Sequence, residues 1–279
     1  MWEYLTGEIM SNTHSNVAKS SESAPILTVV LVGIAAGFLS GMFGVGGGIL
    51  IVPGLVLIAK MDQRIAHGTS LAAVLPISAA SLVSYWSHDH VDWRVGLCLA
   101  TGALVGAVLG TKLLNIVPHR VLAIAFAGIL LVTAVRLFLP IESGTRGVLT
   151  VGNIVALIAI GVATGILAGL LGVGGGIIMV PAMMMMLHLP SAMAKGTSVS
   201  VIIPTSLMGT YRNRTKKNVD LRAAAAVGLS GIPSAIVGGW ISARMSDTVS
   251  NVLFASLLVV VAIRLVLQIR SDDKAGIVH

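Results

Sequence analysis

The chain has 279 residues, of which 56% are hydrophobic and only 10% charged, with a mean hydropathy of +0.96 and a formal net charge of +7. A soluble domain of this size carries about 25% charged residues to solvate its surface, so the composition excludes an ordinary water-soluble fold. In such a chain an excess of Lys and Arg marks cytoplasmic loops beside anionic lipid, and nothing in the pattern points to nucleic acid.

Residues 1–25 are polar and rich in Ser and Asn, with Glu3, Glu8, Lys19 and Glu22 spread through them. No basic start leads into a short apolar stretch and a small-residue cleavage site, so this reads as a polar tail and not as a removed signal peptide. A first membrane unit covers 26–139, with apolar segments at 26–44, 49–60, 66–86, 93–116 and 119–139. A crossing helix needs about 20 such residues. The second segment, about 12 residues rising about 1.5 Å each, reaches only about 18 Å into a core about 30 Å thick. Segments one and two therefore read as a hairpin broken at Gly44-Val45-Gly46-Gly47-Gly48, followed by three crossings. A linker at 140–148 leads to a second unit at 149–269, with segments at 149–171, 177–189, 196–211, 220–244 and 249–269, and a tail at 270–279. Cys98 has no partner cysteine in the chain and reads as a small apolar side chain, and the run 183–186 of four Met reads as packing.

A shift of 128 positions aligns the two units without a gap. Gly44-Val45-Gly46-Gly47-Gly48 falls on Gly172-Val173-Gly174-Gly175-Gly176, Pro53 on Pro181, and Gly68-Thr69-Ser70 on Gly196-Thr197-Ser198. Pro76 and Ser78 fall on Pro204 and Ser206, Asp92 and Arg94 on Asp220 and Arg222, and Arg136 on Arg264. Three crossings after a returning hairpin is an odd number, so the second copy is expected to be inverted. With the N-terminus inside, only Arg94, Arg136, Arg146, Lys195 and Arg244 of the eighteen Lys and Arg stay outside. The loop 211–222 carries Arg212, Arg214, Lys216, Lys217 and Arg222, whereas its counterpart at 85–94 carries Arg94 with His88, Asp89, His90 and Asp92. Basic loops in one copy and not the other fit opposite orientations. The expected fold is an all-α polytopic membrane protein of two inverted-topology repeats, each a glycine-broken helix hairpin plus three transmembrane helices. Counting each broken pair as a single helix would instead give parallel repeats.

A glycine-rich break is tolerated inside a membrane only against protein or water, because lipid satisfies no backbone group. Each run opens into a helix whose first amides face outward with a partial positive charge, a setting that suits an oxyanion. Gly46, Gly47, Gly48, Gly174, Gly175 and Gly176 are the candidate substrate-binding backbone, against the alternative that small residues serve close packing. Thr69, Ser70, Thr197 and Ser198 are expected at helix starts, either as plain N-caps or as donors to the same anion. Pro76 and Pro204 are candidate hinges. His67 and Lys195 are either pathway charges or solvated loop residues. Asp92 and Asp220 read as N-caps, and Arg136 and Arg264 as snorkelling ends. All eleven Asp and Glu fall in tails, loops or helix ends, so the buried carboxylate of a usual proton relay is missing. No metal or cofactor site is expected, and no catalytic set.

The doubled GVGGG-x4-P followed by Gly-Thr-Ser, over about residues 27–269, resembles the sulfite exporter TauE/SafE family of membrane permeases. The resemblance implies small sulfur-containing or organic anions such as sulfite, sulfonates, sulfoacetate or thiosulfate. The expected function is a secondary transporter of small anions working by alternating access, set against a passive anion channel and a membrane enzyme or assembly factor. A bacterial inner membrane, with both termini cytoplasmic, is the expected location.

Overall fold

A computed structural model describes residues 26–113, 119–138, 147 and 149–274, and every regular element among them is helical. In chain order they are α1 (Ile26–Phe43), α2 (Gly48–Pro53, continued by a π-helical turn Gly54–Ile58), α3 (Gln63–Trp86), α4 (Trp93–Leu113) and α5 (His119–Phe138). The second half repeats the order as α6 (Val151–Leu171), α7 (Gly176–Leu187), α8 (Ser191–Thr215), α9 (Leu221–Arg244) and α10 (Asp247–Lys274). The polar tail, the linker except for Gly147, and the side chains of Arg136 and Arg264 lie outside the described residues.

Five of these helices are long and apolar enough to cross a membrane: α1, α3, α4, α6 and α9. On α1 one face turns Leu27, Leu31 and Ile34 outward while Val29, Val32 and Ala36 are buried. Water would penalise that outer face, and acyl chains do not. Helix α8 is rich in hydroxyls and carries Lys195, Arg212 and Arg214. Protein surrounds its first half, where Lys195 is buried, with α3, α4, α6, α7 and α10 as neighbours of the helix, whereas Arg212 and Arg214 lie in its more exposed last turn. Met183 and Met184 are buried and Met185 faces outward, the packing role expected of that run.

Small residues let the helices approach closely. Glycines at 102, 106 and 110 of α4 rest on the carbonyls of Ile158, Val162 and Ile166 of α6, so these two helices run parallel. The counterpart pair does the same: Gly33 of α1 rests on Val227 of α9, Gly37 on Gly231, and Gly41 on Ala235. The central pair is different. Gly68 of α3 meets Asn213, Leu71 meets Gly209, and Tyr85 meets Gly196, so α3 and α8 pack antiparallel. These are equivalent helices under the 128-residue shift, and the Gly68 and Gly196 contacts are each other's counterparts.

Two expectations about α3 and α8 are corrected. Asp62 caps α3 through Arg64 N (2.9 Å), and Pro190 precedes α8, so both Gly-Thr-Ser blocks lie inside their helices and cap nothing. His67 and Lys195 are also helical and buried, at 8% and 1% exposure, so neither is a solvated loop residue. Asp92 and Asp220 do cap their helices, accepting from Arg94 N and Arg222 N at 3.2 and 2.9 Å.

Trp86, Trp93 and Trp240 are each about half exposed. Trp86 meets Trp93 edge-on at 5.7 Å, and Arg244 lies 3.7 Å over Trp240. All three sit at the same end, since α3 and α9 each run antiparallel to α8 and α4 turns back from α3. Trp and Arg concentrate where headgroups meet acyl chains. In a Trp2→Phe background, brominated lipids should therefore quench the fluorescence more strongly with bromine near the headgroup than at mid-chain. Stronger mid-chain quenching would contradict this placement.

Candidate functional site

Each break begins where a helix stops on a left-handed glycine. Gly44 N–H donates to Ser40 O at 2.8 Å and Gly172 N–H to Ala168 O at 2.9 Å. Gly44, Gly46 and Gly47 have φ of 68, 82 and 74°, and Gly172, Gly174 and Gly175 have φ of 67, 88 and 80°. A side chain disfavours that region, which is why the pattern needs glycine there. The next helices start without a side-chain cap. Their first internal bonds run from Leu50 N–H to Gly47 O (3.0 Å) and from Ile178 N–H to Gly175 O (3.3 Å). The amides of Gly48, Ile49, Gly176 and Ile177 precede that ladder and take no partner from it. Both breaks are buried.

The two breaks lie against each other. A Cβ at Gly48 would stand 2.5 Å from Gly172 O, and one at Gly176 would stand 2.6 Å from Gly44 O. Each break is also held by the central helix of the other half. Ser70 Oγ donates to Gly172 O at 2.9 Å, and Ser198 Oγ donates to Gly44 O at 2.8 Å. Gly172 packs on His67, whose Nδ1 is 2.6 Å from Leu171 O, and Gly44 packs on the Lys195 backbone. The threonines hold the neighbouring loops: Thr197 Oγ1 accepts from Asp92 N–H (2.8 Å) and Thr69 Oγ1 from Asp220 N–H (2.9 Å). In the loop that delivers Asp92, burial and then His88 hold the His90 imidazole below its usual range.

The crossing thus gathers the predicted glycines, Ser70, Ser198, His67 and Lys195, with Thr69 and Thr197 one layer out. In this conformation the four hydroxyls are engaged by backbone groups. Pro76 and Pro204 lie inside α3 and α8 just beyond, where Gly46 rests on Val74 and Ile202. The buried hydroxyls of Ser78 and Ser206 find no hydrogen-bond partner. A cavity of about 10 Å³ lies beside Gly175, lined by Leu167, Ala168, Val173, Ile177 and Ile178, with room for about one water. Tyr85, Ser242 and Ser250 join the site without a sequence signal, because the shift puts Asn213, Leu114 and Leu122 at their counterpart positions.

Removing one serine hydroxyl leaves a buried carbonyl short of a donor, which costs about 1–3 kcal/mol. Ser70→Ala and Ser198→Ala should each lower the thermal midpoint of the purified protein. An unchanged midpoint for both would mean that these bonds do not hold the crossing.

The family model described as sulfite exporter TauE/SafE matches residues 6–146 and 157–277. A Bacillus subtilis (strain 168) protein described as "Probable membrane transporter protein YunE" is 26% identical over 264 residues, covering 84% of this chain and 93% of its own. A "Probable membrane transporter protein" of Xylella fastidiosa (strain 9a5c) is 28% identical over 247 residues, covering 85% and 94%. A Methanocaldococcus jannaschii relative, also described as a probable membrane transporter protein, is 26% identical over 258 residues, covering 86% and 94%. No solved structure matches.

Proposed function

This chain belongs to the sulfite exporter TauE/SafE family and is a membrane transporter, and from that premise we propose that it carries small anions by alternating access around the paired glycine breaks. The observation that supports this reading is the crossing itself. Two helix starts rich in free amides meet there inside the protein, flanked by Lys195 and His67. Among the described residues no Asp or Glu lies mid-helix to oppose an anion. Amides and helix dipoles then supply the positive potential that draws a small oxyanion out of water.

In this reading the amides of Gly46, Gly47, Gly48, Gly174, Gly175 and Gly176 bind the anion. The hydroxyls of Thr69, Ser70, Thr197 and Ser198 exchange their backbone partners for it as the breaks part. Pro76 and Pro204 supply the bending point, because a helical proline removes one backbone bond and clashes with the carbonyl four residues earlier. The two halves are oppositely oriented repeats in a bacterial inner membrane with both termini cytoplasmic. Supporting this are the antiparallel packing of α3 on α8 and the basic loop present in only one half.

The cargo class is a sulfur oxyanion or organosulfonate such as sulfite, sulfoacetate or thiosulfate, the class suggested by the family's description. Uptake of labelled sulfite, thiosulfate, a sulfonate and acetate into proteoliposomes tests it. Saturable uptake of one or more sulfur oxyanions, above protein-free liposomes, is the expected result. Uptake of none of them would overturn the assignment of cargo.

A further inference from the structure

A polar cluster lies against the first break, and its residue types are not repeated at the equivalent sequence positions of the other half. Lys195, at the start of the second turn of α8, is 1% exposed. Its Nζ donates to the hydroxyls of Ser242, at 3.3 Å, and Ser250, and lies 5.7 Å from the centre of the Phe43 ring. Tyr85 closes the cluster, donating to Gly41 O at 2.6 Å with Ser242 Oγ at 3.3 Å. Gly41 and Phe43 end α1, and a Cβ on Gly44 would stand 2.7 Å from Lys195 Cα. The cation is therefore built into the wall of the break.

Its charge is not balanced locally. Among the described residues no carboxylate lies within the 4.0 Å of an ion pair with Nζ, and Asp247 at the start of α10 acts on it only through space. Burying an ammonium without a counter-ion is strongly unfavourable, and two hydroxyls and a ring face offset only part of that. In the sequence of the other half, the 128-residue shift sets His67, Leu114, Leu122 and Asn213 against Lys195, Ser242, Ser250 and Tyr85. Met193, two residues before Lys195, lines a recess of about 260 Å³ with Val91, Asp92, Trp93 and Arg94.

We propose that Lys195, with the hydroxyls of Ser242 and Ser250, takes the charged group of a small oxyanion, so that the pathway holds one fixed positive charge, on the side of the first break. This rests on the transport reading above and deepens it. The glycine amides are shared by both halves and bind oxygen atoms, whereas the lysine supplies the counter-charge once. On binding, the ammonium keeps its hydroxyl partners and gains the partner that it lacks in this structure.

Thermal unfolding of the purified full chain, titrated with sulfite, thiosulfate, methanesulfonate and chloride, tests the proposal. At least one of the three oxyanions should stabilise the wild type. Lys195→Met should weaken that binding about 10- to 100-fold, the worth of one charge-assisted hydrogen bond. Its ligand-free midpoint should stay level or rise, because an unpaired buried charge is gone. Lys195→Arg should keep binding within about tenfold, and Ser250→Ala should weaken it by less than Lys195→Met does. Oxyanion binding within twofold of wild type in Lys195→Met would overturn the proposal, as would a wild type that none of the three oxyanions stabilises. Where Lys195→Met yields no folded protein, unchanged affinity in Ser250→Ala overturns it instead. Lysine-dependent binding without uptake into liposomes would leave this site standing and remove the transport reading.

Discussion

Gly176→Ala and Gly48→Ala should each leave little folded protein. The added methyl at 176 would stand 2.6 Å from Gly44 O and 2.8 Å from Val45 Cα, and the one at 48 would stand 2.5 Å from Gly172 O and 2.8 Å from Val173 Cα. These obstacles are backbone, not the ends of flexible side chains, so neither break can yield without moving the helix behind it. Overpacking a buried contact costs typically about 1–3 kcal/mol, and a backbone-on-backbone clash belongs at or above the top of that range. That is a large share of the 5–15 kcal/mol by which a fold is usually stable. Thermal unfolding in detergent measures it. A midpoint within a degree or two of wild type for both variants would mean that the breaks do not touch as described.

Gly46→Ala and Gly174→Ala should behave differently, keeping the fold and losing transport. A methyl at 174 would meet Val45 O at 3.2 Å and an Ile202 methyl at 3.5 Å, while one at 46 would meet Ile202 and Val74 methyls at 3.1–3.2 Å. The side-chain neighbours can shift by tenths of an ångström, and the one backbone contact, Val45 O at 3.2 Å, asks for no more than that. The remaining cost is that of holding alanine at φ of 82 or 88°, about 1–2 kcal/mol. A transporter that must rearrange this backbone in every cycle is hindered twice, by the restricted φ and by the methyl among the amides. A barrier raised by about 1.4 kcal/mol slows a step tenfold, so flux should fall by about tenfold or more at matched amounts of reconstituted protein. Wild-type flux in both variants would remove Gly46 and Gly174 from the site.

The helical framework was legible because lipid simplifies the code. Long charge-free runs locate α1, α3, α4 and α6, and the broken hairpin shows in the short length of its second arm. The repeat was legible for the same reason that the glycines are needed: close backbone approach and positive φ both favour glycine. Legibility stopped where helix starts and burial depend on neighbours. Asp62, and not Thr69 or Ser70, caps α3, so the Gly-Thr-Ser block sits further into the helix, facing the other half's break. The sequence left Lys195 between a pathway charge and a solvated loop residue, because charge in a sequence suggests water. The three hydroxyls around it come from α3, α9 and the start of α10, up to 110 positions away in the chain. No local pattern brings Tyr85, Ser242 and Ser250 together; helix packing does.

Counterflow tests the central claim most directly. Proteoliposomes preloaded with unlabelled sulfite, or with the oxyanion that gives the strongest uptake, are diluted into a trace of the labelled anion. A carrier whose site between the two breaks faces one side at a time should give saturable entry with a transient rise of label above its final level. Entry that grows linearly with concentration and shows no such rise would contradict alternating access and leave a passive anion pore.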